Sequence, residues 1–140
     1  MYKSILVPVD LLDESSWKNV LPAAIEEARN SDASLCLVAS LDINLGIAAP
    51  HLGDNFNATQ LERGRQRLEE VAQEGIPDDV QVRCIVREGR PYREILQVAK
   101  EVDADLIIMA SHRPSLGSFL LGANAAKVVR HAQCSVLVVR

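Results

Sequence analysis

Asp105-Leu106-Ile107-Ile108-Met109-Ala110 empties into the polar segment Ser111-His112-Arg113-Pro114-Ser115, and a glycine, Gly122, then opens a helical pattern. The run from Leu106 to Ala110 shows no alternation of polar and apolar residues, so it reads as a strand buried on both faces at the centre of a parallel sheet. After it, Ala123 to His131 reads as a helix and Ser135-Val136-Leu137-Val138-Val139 as a final strand. A buried strand that delivers a histidine, an arginine and backbone amides to a glycine-led helix start is suited to holding an anion. Helix N-termini carry about half a positive charge and several N–H groups without an intrahelical acceptor, so phosphate is the natural occupant.

Upstream, the same strand-then-helix rhythm recurs. Ser4 to Val9 is apolar and β-branched, a first strand. Trp17, Val20, Leu21, Ala24, Ile25 and Ala28 recur at helical spacing, with Ser15 or Ser16 as the N-cap; Pro22 sits in the first turn of that helix or kinks it. Ala33 to Leu41 is a second strand. Asp42 to Asn57, with Gly46, Pro50 and Gly53, is too long and turn-rich for a simple connection and reads as a functional or mobile loop. A second helix is expected from about Ala58 to Glu74, with Leu61, Leu68, Val71 and Ala72 inward, Glu62, Arg63, Arg65, Arg67, Glu69 and Glu70 on a solvated face, and Gly75 and Pro77 as its stop. Val80, Val82, Cys84 and Val86 alternate with Gln81 and Arg83 as a strand near a sheet edge does. Pro91 suits the first position of a third helix, whose buried stripe is Ile95, Leu96, Val98, Ala99 and Val102.

Five strands alternating with about four helices define an α/β fold, a doubly wound parallel sheet in one domain over residues 1–140. In such sheets ligands bind at the carboxyl ends of the strands, where strand order reverses. The exits Pro8-Val9-Asp10, Ala39-Ser40-Leu41 and Met109 to Arg113 are then walls of one pocket.

Bulk properties remove several function classes. The 140 residues are 48% hydrophobic and 24% charged, as in an ordinary globular protein, and the net charge is −4 with both signs mixed along the chain. Without a basic block, a nucleic-acid backbone is not the expected partner. No apolar run approaches the ~20 residues of a membrane span, and Met1 to Pro8 lacks the pattern of a signal peptide, so the expected setting is cytoplasmic, with no membrane partner. Cys36, Cys84 and Cys134 lie far apart in apolar runs and read as small buried hydrophobes. There is no G-x-x-x-x-G-K-[ST] loop, no G-x-S-x-G elbow and no zinc-type spacing of His and Cys. No residue set for catalysis stands out. Arg130 and His131 complement the dipole at the end of their helix.

Ile5-Leu6-Val7-Pro8-Val9-Asp10, Glu88-Gly89-Arg90-Pro91, Ala110 to Pro114, Leu120 to Ala126 and Val128 to Ala132 stand in an order and spacing that resemble the universal stress protein family over the whole chain, and most of all its F/G-type subgroup. The resemblance implies an adenine nucleotide α-hydrolase-like sheet of strand order 3-2-1-4-5, a homodimer paired through the last strand (Ser135 to Val139), and, in one branch, bound ATP or AMP. That branch carries Gly, two residues, Gly, nine residues, then Gly and Ser or Thr. Here Ala110 and Arg113 replace the first two glycines, eight residues separate Arg113 from Gly122, and Ala123 replaces the hydroxyl residue. One lost hydrogen bond of about 1 kcal/mol weakens binding roughly fivefold and leaves the amides of Gly122, Ala123 and Asn124 in place.

The candidate nucleotide-binding residues are Pro8, Val9, Asp10, Ser40, Met109, Ala110, Ser111, His112, Arg113, Gly122, Ala123, Asn124 and Ala125. By resemblance Asp10 bonds the ribose or faces a Mg²⁺ carried on the phosphates; the alternative is a loop carboxylate capping the next segment. The main chain of Ser40 would read the adenine edge. His112 and Arg113 contact phosphate or form a surface turn. The expectation is a nucleotide-binding regulatory or protective stress protein with an unnamed protein partner. Its rivals are an interaction module of the same fold without nucleotide and a slow ATP phosphohydrolase using Asp10 and His112.

Overall fold

The computed structural model describes residues 1–42, 53–111 and 121–140. Its elements run β1 (Ser4–Pro8), α1 (Ser15–Lys18), α2 (Val20–Ser31), β2 (Ser34–Leu41), α3 (Gly53–Gly75), β3 (Val82–Glu88), α4 (Pro91–Glu101), β4 (Leu106–Ala110), α5 (Ala123–His131) and β5 (Ser135–Val139). The strands form one parallel sheet of order β3-β2-β1-β4-β5, the expected topology, with β3 and β5 at its edges. Strand order reverses between β1 and β4. Asp105 clamps that central pair from below: its carboxylate accepts the N–H groups of Lys3 (2.9 Å) and Ser4 (3.0 Å).

Alternate residues of the central strands feed two cores. Ile5, Val7, Leu35, Leu37, Leu106 and Ile108 pack with Trp17, Val20, Leu21, Ala24, Leu68 and Val71 from α1, α2 and α3. Leu6, Cys36, Val38, Ile107 and Met109 pack with Ile95, Val98, Ala125 and Val128 from α4 and α5. Cys36 and Cys84 thus belong to opposite faces of the sheet. Cys36 is buried as expected, whereas Cys84 and Cys134 are only half-buried; burial still raises the pKa of all three thiols, Cys84 to about 11.

Three local differences from the sequence reading have physical causes. The first helix is two, broken at Asn19. Pro22 has no N–H for the carbonyl four residues back, and that residue is Lys18, where α1 ends. Pro22 therefore lies in the first turn of α2 and also terminates its predecessor. Neither Ser15 nor Ser16 is the N-cap residue of α1: Glu14 is, and Asp13 supplies the carboxylate, accepting the Ser15 N–H at 3.0 Å and its hydroxyl at 2.6 Å. The third helix, α3, begins at Gly53 instead of Ala58, taking the end of the expected 42–57 loop; residues 43–52 lie outside the described residues.

On the charged face of α3, Arg65 bridges Glu62 and Glu69 and Arg67 pairs with Glu70, as a solvated face should; Arg67 also lies over the Trp17 ring, 5.8 Å from its centroid. Val80 is buried but precedes β3, which starts at Val82. Pro91 occupies the first turn of α4, as read from the sequence, with Arg90 at the N-cap position.

Candidate functional site

The β1 exit is tied down by short-range bonds. Val9 donates its N–H to the Val38 carbonyl (2.8 Å), the last link between the first two strands. The chain then turns away: the Asp10 N–H donates to the Ser16 hydroxyl (2.8 Å), which donates back to the Asp10 carbonyl (3.1 Å). The Asp10 carboxylate accepts the Leu12 N–H at 3.0 Å, an Asx-type turn that fixes its direction and takes one of several acceptor positions.

Across the reversal point, β4 ends at Ala110. Buried Ser111 donates its N–H to the Val139 carbonyl, and its own carbonyl accepts the Gly122 N–H, both at 2.9 Å. Gly122 is the N-cap of α5, and the first bond inside the helix runs from the Ala126 N–H to the Gly122 carbonyl at 2.9 Å. The amides of Ala123, Asn124 and Ala125 thus precede the helical ladder. No acidic side chain stands in that first turn, while Arg130 and His131 occupy the last.

The β2 exit supplies a third wall. Odd-numbered residues of β2 turn their peptide groups toward β3: Leu35 donates to Gln81, and the Leu41 carbonyl accepts the Gly89 N–H (3.0 Å). Even-numbered residues face β1, as Ser34 donating to Lys3 and Val38 accepting from Val9 show. Ser40 is the first even-numbered residue beyond that ladder, so its N–H and carbonyl point past the end of β1. Its side chain lies on the α4 face and donates to the Gly89 carbonyl at 2.6 Å.

These walls enclose a cavity of about 350 Å³. Pro8, Val9, Asp10, Ser40, Met109, Ala110, Ser111, Gly122, Asn124 and Ala125 from the sequence-derived set line it. Ala123 does not; its side chain is exposed. His112 and Arg113 lie outside the described residues. Asp13, Ser16, Val38, Pro91 and Ile95 line it as well and escaped sequence reasoning. Pro91 and Ile95 stand four apart, hence on one face of α4, and that spacing was the available signal.

The cavity is chemically graded. Asp10, Asp13 and Ser16 put carboxylates and a hydroxyl at one side, the α5 start puts amides outside the helical ladder and positive dipole at another, and Val38, Ile95, Met109 and Pro91 make an apolar stretch. Among the described residues no group of three or more His, Cys, Asp or Glu is placed to hold a metal ion. Nor, among the described residues, is any helix long and apolar enough to cross a membrane.

Comparison with known proteins agrees with this architecture. The sequence profile of the Universal stress protein family matches residues 1–140. Universal stress protein G of Shigella flexneri is 31% identical over 144 residues, covering all of both chains. Among solved structures, a universal stress protein from Lactobacillus plantarum matches with a TM-score of 0.67 at 27% identity, covering 99% of this chain and 98% of that one. A universal stress protein in complex with cAMP matches with a TM-score of 0.63 at 23% identity, over 99% and 97% of the two chains. One from Archaeoglobus fulgidus in complex with dAMP gives 0.61 at 24% identity, over 99% and 98%. This chain belongs to the universal stress protein family, with G-type relatives and the adenine nucleotide α-hydrolase-like fold.

Proposed function

We propose that the protein binds an adenine nucleotide, ATP or AMP, in the cavity at the reversal point, and acts as a cytoplasmic, homodimeric regulatory or protective factor in a stress response. The observation that carries the reading is the graded cavity: an apolar stretch between the Ser40 peptide groups and the N-terminus of α5. Adenine presents a ring-nitrogen acceptor beside an amino donor, the complement of the N–H and carbonyl that Ser40 turns past β1. Val38, Pro91, Ile95 and Met109 would cover the base, and Asp10 would accept ribose hydroxyls. The amides of Ala123, Asn124 and Ala125 suit phosphate oxygens, with the helix dipole adding to them.

Two proteins of this fold were solved with cAMP and dAMP, both adenine nucleotides, which supports the same ligand class here. Magnesium is customarily held by one or two carboxylates together with substrate phosphates. Asp10 and Asp13 fit that mode and would face a cation already carried on the nucleotide.

Calorimetric titration with AMP and with ATP tests the proposal. A saturable heat is expected, lost in Gly122→Val, whose side chain would block close approach to the helix start. No heat and no thermal shift at millimolar nucleotide overturns it and leaves an interaction module of the same fold.

A further inference from the structure

Gly89 carries an uncommon constraint for a loop residue. Its φ is +146°, and a β carbon there would stand 2.9 Å from the Glu94 Cγ atom, so the position demands glycine. Two bonds then fasten it to the β2 exit. The Gly89 N–H donates to the Leu41 carbonyl at 3.0 Å, and the Ser40 hydroxyl donates to the Gly89 carbonyl at 2.6 Å. The second bond is supplied by a side chain, from the residue whose peptide groups point past β1. Arg90 and Pro91, immediately after the clasp, start α4, and Pro91 and Ile95 are cavity wall.

We infer that Ser40 is a positioning residue for the base-binding end of the cavity: its hydroxyl, through Gly89, fixes the distance between the β2 exit and the start of α4. The inference rests on the nucleotide reading above and deepens it by naming what holds the base slot open to one width. A ligand with a base depends on this clasp. A ligand that is only sugar and phosphate, seated between Asp10 and the start of α5, does not. The hydroxyl is the active feature, so threonine preserves the function and valine, nearly the same shape, does not.

The test is NMR titration of wild type, Ser40→Thr and Ser40→Val with AMP and, separately, with ribose 5-phosphate, all three proteins first shown folded by their amide spectra. Expected is a loss of about fivefold in AMP affinity for Ser40→Val, the value of one hydrogen bond. Ser40→Thr stays near wild type, and ribose 5-phosphate affinity is the same in all three. Faster amide exchange at Gly89 in Ser40→Val alone is expected alongside. Equal AMP affinity in Ser40→Val and wild type overturns the inference, as does an equal loss in Ser40→Thr or an equal loss for ribose 5-phosphate. Wild-type protein that binds no AMP overturns the nucleotide reading itself, and the inference with it.

Discussion

Gly64 in α3 lies so close to Leu41 at the β2 exit that a β carbon on it would stand 2.8 Å from the Leu41 Cδ1 atom. This is how the longest helix reaches the strand end beside the cavity. Leu41 is half-buried and Cδ1 is the tip of a flexible side chain, so it can rotate away. Alanine gains about 1 kcal/mol of helix propensity over glycine. Gly64→Ala is therefore expected to change stability by less than about 1 kcal/mol. Gly89→Ala is the contrasting case, because backbone conformation and the Glu94 contact both oppose a side chain. It is expected to cost about 1–3 kcal/mol. Urea unfolding of the two variants distinguishes the positions; equal losses would mean that Leu41 cannot yield.

Arg29 and Asp79 form a two-pronged pair, Nε and Nη2 each donating to one carboxylate oxygen at 2.9 Å, which joins α2 to the connection before β3. The guanidinium holds the Asp79 carboxyl below its ordinary value, first through the hydrogen bonds and then through its charge. A lowered native pKa gives stability that is present in full above the unfolded-state value and lost as the pH falls through the native one. The Tm deficit of Asp79→Asn relative to wild type should accordingly be largest near neutrality and shrink as the pH drops below about 4. Both groups are exposed, so the deficit should be small and fall further in high salt. A deficit independent of pH would assign the loss to packing.

The cysteines give a chemical readout of burial. Thiolate is the reactive form, and Cys84 is pushed up to about 11 by burial, with Glu69 adding repulsion. Cys36 and Cys134 are raised for the same first cause. Iodoacetamide at about pH 8 should leave buried Cys36 unmodified in the native protein and label all three after unfolding in guanidinium. Cys84 and Cys134, both half-buried, should react slowly. Mass spectrometry of the native sample checks this, and rapid labelling of Cys36 would contradict the packing described.

Much of this architecture is legible in sequence because periodicity changes sharply between elements. Leu106 to Ala110 is apolar on both faces and is the buried strand expected; the run from Ala123 to His131 and the strand from Ser135 to Val139 match the structure residue for residue. The break at Asn19 is harder to see, since a proline acts four residues upstream of itself, inside a pattern whose apolar spacing continues unbroken. The early start of α3 hides behind Gly53, Asp54 and Asn55, which have poor helix propensity. At the site, residues next to strand exits are found by topology. Val38, Pro91 and Ile95 read as strand interior and helix stripe, and only packing reveals that a cavity touches them.

The outer edge of β5 supports the last prediction. Its Val139 carbonyl turns toward β4, accepting the Ser111 N–H, so odd-numbered residues of β5 point their peptide groups inward and Val136 and Val138 point theirs outward. On the strand, Leu137 is 44% exposed, an apolar residue beside a row of backbone groups turned away from β4. Such an edge favours pairing with a second copy, which buries both features at once. Wild-type protein is expected to sediment as a dimer at micromolar concentration. Val138→Pro removes an outward N–H while sparing the bonds to β4, and proline is tolerated on an edge strand. It is expected to sediment as a monomer with its circular dichroism unchanged, whereas Leu137→Pro, which removes an inward N–H, should also destabilise the fold. A monomeric wild type overturns the pairing itself, and a Val138→Pro variant that remains dimeric places it elsewhere than this edge.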